Sequence, residues 1–142
     1  MASDDPAATD LERSSERWLA WLAMEVDRRD PPGPALLVLW DVLEEWFASD
    51  DFAGSALAAA VAAPPDGRGP AAHAALVQHR AGLRRLLQDL AGAAGARDPD
   101  ALAAQLLTLV EGATVAALID RRPDVARSAR ELTELALERS RG

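Results

Sequence analysis

Two side chains in this sequence set an ionisable group among apolar neighbours, and any chemistry starts with them. His79 falls on a helical stripe with Ala72, Leu76, Leu83, Leu86, Leu87 and Leu90. It reads either as a packed, hydrogen-bonded core histidine or as a polar contact inside a ligand cavity. His73 lies six residues away, about 120° around a helix, so the two cannot chelate one metal ion. Glu111 stands beside Gly112 in the middle of an otherwise apolar stretch. A buried carboxylate needs a partner or a raised pKa. Arg80, Arg84, Thr114 or a second subunit could supply the partner; the sharper alternative is a carboxylate facing a ligand.

The other candidates carry less. Asp41, Glu44 and Glu45 share the polar side of an amphipathic helix, where a solvated surface is expected. Ser14, Ser15, Ser49 and Ser55 lack a nearby histidine or a nucleophile-elbow pattern. There is no cysteine, and no phosphate loop, GxGxxG, HExxH or CxxC occurs. No enzymatic activity, no metal and no cofactor are expected. Trp18, Trp21, Trp40 and Trp46 are expected in a core, since an acidic chain is a poor platform for stacking nucleobases.

Helices must hold these groups. Val and Ile are sparse, Thr is rare, Tyr is absent and Ala dominates, so strand formers are scarce. The spacing predicts an all-α fold of about six helices. The first runs from a cap at Thr9 or Asp10 to about Arg29 and ends at Asp30-Pro31-Pro32-Gly33. The central one starts at Pro34 and carries Leu36, Leu39, Trp40, Leu43, Trp46 and Phe47; it ends near Ser49-Asp50-Asp51. A thin, Ala-rich helix covers Gly54 to Ala63. A long helix from Pro70 to Ala94 is closed by Gly95. Asp98-Pro99-Asp100 opens a helix to Ile119 that is apolar nearly all round. The last runs from Pro123 to about Ser140. Residues 1–9 are expected to be flexible and 10–142 to form one domain, with no internal repeat.

The totals narrow the function classes. A chain of 142 residues can bury a real core. Its net charge is −8 and every basic residue is arginine, which disfavours phosphate-backbone binding. The acidic start MASDDPAATD is not a signal peptide, and no apolar run approaches the roughly 20 residues of a membrane span. A soluble cytoplasmic protein without a membrane role is the expectation.

The order of segments carries a resemblance. ERWLAWL, then LLVLWDVLEEWFASDDFAGSALAAAVA, then VQHRAGLRRLLQDLAGAAGARDPDALAAQLLTLVEGATVAAL, then PDVARSARELTELAL, resembles the C-terminal regulatory domain of TetR-like bacterial transcriptional regulators, over roughly Glu16 to Leu137. The resemblance implies an all-helical homodimer whose last two helices from each subunit form a four-helix interface. It also implies a small-molecule effector cavity between the central helices. Two departures stand out. Such regulators begin with a helix-turn-helix of which this chain shows none, so DNA would be reached only through a head not present here. Where relatives often carry Gly-Cys followed by a Phe and an Asn, this chain has Gly54-Ser55-Ala56-Leu57-Ala58-Ala59, which offers less polar recognition.

On this basis the effector cavity is expected to be walled by Leu39, Trp40, Leu43 and Phe47 of the central helix, and by Leu57 and Val61 of the thin one. Leu76, His79 and Leu83 of the long helix should complete it, with Leu106, Val110, Glu111 and Thr114 of the apolar helix. A small, mostly apolar effector fits such a wall. Thr108, Gly112, Val115 and Ile119, with Ala126, Thr133 and Leu137, are expected at the dimer interface. The rival expectation is a stand-alone helical scaffold, its cavity filled by side chains, that offers the Trp18/Trp21 helix to a partner protein.

Overall fold

The computed structural model describes residues 5–29 and 34–141, and among these the chain is all-helical, with seven α-helices and one turn of 3-10 helix. The order is α1 Pro6–Arg28, α2 Ala35–Phe47, α3 Asp50–Ala53, α4 Ala56–Ala62, α5 Pro70–Ala93, α6 Pro99–Asp120 and α7 Val125–Arg141, with the 3-10 turn at Pro65–Gly67. The expected break at Asp30 to Gly33 lies outside the described residues.

Several helix ends follow local chemistry. Asp5 accepts from the Ala7 N–H and Pro6 occupies the first turn, so α1 begins earlier than Thr9 or Asp10 and Ala8 is fully buried. Asp98 caps α6 in the same way, accepting from the Ala101 N–H. The C-terminus of α5 closes in a Schellman motif: Ala96 N–H donates to Ala91 O, Gly95 N–H donates to Gly92 O, and Gly95 has φ +87. The seventh helix is the single turn α3, unforeseen in the run Ser49-Asp50-Asp51. Ser49 accepts from the Phe52 N–H, and Phe52 is buried edge-on against Trp46 at a centroid distance of 4.7 Å.

The bundle is centred on α2, whose Leu36, Leu39, Trp40, Val42 and Leu43 are all shut from solvent. Its strongest neighbour is α7, while α1 lies along α5, α5 lies along α6, and α4 rests on α6. The approach of α1 to α5 is close at Gly82, where a Cβ would stand 2.7 Å from Leu19 Cδ1. The thin helix α4 is tied down by Arg68, whose guanidinium donates to Ala60 O at 2.8 Å and Ala63 O at 2.7 Å at the end of the helix.

One expectation about membranes needs correction. α6 is long and apolar enough to cross a membrane by length and composition, with 44% of its most apolar stretch buried in the bundle. The two apolar faces read from the sequence explain this. One packs inside the bundle, through Leu102, Leu106, Val110 and Ala113, and the other looks outward.

Candidate functional site

Five helices converge on a small chamber of about 30 Å³. α1 supplies Trp18, α4 supplies Leu57, Ala58 and Val61, and α5 supplies His79, Arg80 and Leu83. Leu107, Val110, Glu111 and Thr114 come from α6, and Trp46 from the end of α2. That volume holds about one water molecule.

The polar groups around it are unevenly satisfied. Ser15 Oγ and His79 Nδ1 form a buried hydrogen bond at 2.8 Å, whose donor is set by the imidazole tautomer. The Trp18 ring tilts against His79 at 5.5 Å and against Trp46 at 5.2 Å. Burial pushes the His79 pKa below its ordinary value, with the Glu111 charge opposing more weakly, so the imidazole is held neutral near pH 7. Thr114 Oγ1 donates to Val110 O at 2.7 Å within its own helix, leaving its oxygen able to accept. Trp18 Nε1 is buried and has no protein acceptor. A buried donor without a partner costs about 1–3 kcal/mol.

At the rim, Arg80 grips Glu111 with two bonds of 2.9 Å, Nε to Oε2 and Nη2 to Oε1. Of the partners open to Glu111 on sequence grounds, Arg80 is the one used, and the carboxylate is partly exposed, not buried. Both side chains are wet enough that the pair adds well under about 1 kcal/mol.

The expected wall residues fall into two groups. Leu57, Val61, His79, Leu83, Val110, Glu111 and Thr114 line the chamber together. Leu39, Trp40, Leu43, Phe47, Leu76 and Leu106 are buried in packing elsewhere. Trp40 is the clearest departure: its Nε1 donates to Thr133 Oγ1 at 2.7 Å, and Thr133 in turn donates to Ala129 O at 2.8 Å. That chain ties α2 to α7. Trp18, Trp46, Ala58, Arg80 and Leu107 were not on the expected wall. Trp18 and Trp46 were legible as apolar bulk, but their common neighbour was not.

Outside the chamber, the acidic trio of α2 acts as a set of struts. Asp41 faces Arg130 at 3.7 Å, Glu44 accepts from Arg127 at 2.9 and 3.2 Å, and Glu45 pairs with Arg29. The Arg29 guanidinium holds the Glu45 carboxyl below its ordinary range. Among the described residues no group of three His, Asp or Glu is placed to hold a metal ion.

The expected interface residues also separate. Thr108, Gly112 and Ile119 stand on the outward face of α6, with Ile119 73% exposed and Val115 half-buried. Ala126, Thr133 and Leu137 are buried within the bundle. The apolar residues that α7 turns outward are Leu132 and Leu135, at 51% and 61% exposed. Grooves between the two helices set Leu135 beside Ala101 and Gln105, and Ser128 beside Ala116, so these faces adjoin.

Comparison with family models, curated proteins and solved structures returns no match for this chain.

Proposed function

We propose that this chain is an effector-binding and dimerisation domain of the TetR-like kind, without enzymatic activity. The observation that carries the reading is the double use of α6. One side of it walls the chamber with Val110, Glu111 and Thr114, while the other presents Thr108, Gly112 and Ile119 beside Leu132 and Leu135 of α7. A ligand on the inner side and a second copy on the outer side would act on one rigid element, which is what coupling between two sites requires. The mid-helix carboxylate Glu111, held by Arg80, argues against placing α6 in lipid. DNA contact would fall to a helix-turn-helix outside this sequence.

Two measurements test this. Sedimentation should give a homodimer, and Gly112→Leu should give a folded monomer, because a side chain at Gly112 meets nothing within its own protomer. A Gly112→Leu protein that remains dimeric moves the interface elsewhere. A thermal-shift screen with hydrophobic small molecules should raise the melting temperature of the dimer; a screen in which none does so counts against the sensor.

The second reading, a helical scaffold that binds a partner protein, is favoured by one observation. A chamber of about 30 Å³ is nearly full, so the sensor must recruit space beyond it. A cleft on the far side of Trp18 and Trp46 offers that space.

A further inference from the structure

The cleft lies between α1, the end of α2 and the start of α4, has a volume of about 570 Å³, and shares Trp18, Trp46 and Leu57 with the chamber. Those three side chains are therefore a partition one residue thick. The cleft alone is of the size that small-ligand sites occupy, and chamber and cleft together form one site once the partition moves. This rests on the sensor reading above.

The lining selects a ligand. Trp21 adds a third indole to the cleft wall, and Leu57, Leu83 and Val110 extend the apolar surface inward. Charge is balanced at both ends. In the cleft, Arg17 stands with Asp51 and with Glu45, which is already paired to Arg29; at the chamber, Arg80 and Glu111 neutralise one another. Neither end presents an excess charge to hold an ion. One donor of this lining is shut from solvent and without a protein acceptor: Trp18 Nε1, on the ring common to both spaces, which a ligand reaches when that ring moves. Trp40, the fully buried indole, has its acceptor in Thr133.

We infer that this site takes an uncharged, largely apolar ring compound bearing a hydrogen-bond acceptor, entering through the α1–α4 cleft and accepting from Trp18 Nε1. The ligand supplies the acceptor the protein lacks, and its rings lie against Trp18, Trp46 and Leu57.

The test compares 1-indanone with indane, two bicyclic probes of nearly equal size of which only the ketone accepts a hydrogen bond. The full chain is labelled with nitrogen-15, and the four indole N–H resonances are followed during titration. The inference expects 1-indanone to move the Trp18 indole resonance downfield and to bind at least about five-fold more tightly than indane, the worth of one ordinary hydrogen bond. Trp18→Phe should keep indane binding and erase the difference. Should that variant not fold, the Trp18 resonance assigned through bonds in the wild-type protein reads the same contact. Equal affinity for the two probes with an unmoved Trp18 resonance overturns the inference and leaves the sensor reading standing. No perturbation of any indole by either probe at millimolar concentration overturns both.

Discussion

The Trp40–Thr133 contact in the α2–α7 seam and the Trp18 corner of the α1–α4–α5–α6 chamber are built from the same kinds of side chain and differ in how completely they are paired, although Arg130 Nε, beside Asp41 at the seam, is also buried without a hydrogen-bond partner. At the seam, the Trp40 indole donates to Thr133, Thr133 donates to Ala129, and all three residues are buried. At the chamber, Ser15 and His79 are paired, but the Trp18 indole is not, a small void remains, and a solvent-touched ion pair closes the rim. A closed set of hydrogen bonds specifies one arrangement and leaves nothing over for a ligand. An incomplete set is where a protein still has an interaction to make. Pairing makes the Trp40–Thr133 contact the better specified of the two.

Truncating a tryptophan on each side breaks or upholds that contrast. Trp40→Ala removes a fully buried indole and strips Thr133 of its donor, and should cost about 3–5 kcal/mol. Trp46→Ala empties a partly exposed position beside existing space, and should cost about 1–2 kcal/mol. Urea denaturation of both variants gives the comparison. Equal losses would mean that the chamber is as tightly organised as the seam.

The helices were largely legible because their ends are written in short-range chemistry. Asp98-Pro99-Asp100 and Gly95 marked boundaries that the structure keeps to within a residue or two. Asp5-Pro6 is the same signal as Asp98-Pro99, so the early start of α1 was also readable. The one-turn α3 was not, because its cause is tertiary: Phe52 turns in to meet Trp46. The site was half legible for a similar reason. Periodicity shows which face of a helix is apolar, not which neighbour covers it. On α5 and α6 the polar interruptions His79, Glu111 and Thr114 pointed to the correct side, because a buried polar group needs company. On α2 the apolar residues cover a sector wide enough to meet several neighbours, so Leu39, Trp40, Leu43 and Phe47 give no means of telling chamber from seam. Thr133 falls among the expected interface residues for the same lack: nothing in the sequence shows that its partner is Trp40.

Acid should strain the chamber before it strains the seam. Burial depresses the His79 pKa in the folded state, with Glu111 the opposing charge and Arg80, Ser15 and Trp18 the other groups around the ring. The unfolded chain takes up this proton near the ordinary value of about 6.5. Below that pH the unfolded state holds more protons than the folded one, so stability is full above it and falls as pH drops toward the folded pKa. The melting temperature of the wild-type protein should therefore decline on going from about pH 7 to about pH 5.5, and that of His79→Gln should decline less. An identical decline in the two proteins would assign the acid sensitivity to other groups.

The smallest effect on stability sharpens the contrast most. Arg80→Gln breaks the bidentate pair at the rim, and because both partners are partly exposed it should change stability by well under about 1 kcal/mol. Its consequence lies in selectivity. Glu111 is then left as an unbalanced carboxylate on a mostly apolar wall, where an unscreened charge attracts a counter-ion more strongly than at an open surface. In the wild-type protein, protonated 1-aminoindane should have no advantage over 1-indanone, since the charges around the site cancel. In Arg80→Gln it should gain affinity relative to 1-indanone, and the gain should shrink as salt is raised. The same substitution made at the seam, Arg127→Gln opposite Glu44, frees a carboxylate that faces no cavity and should leave that preference unchanged. A preference that moves in both variants, or in neither, would show that Glu111 does not reach the bound molecule.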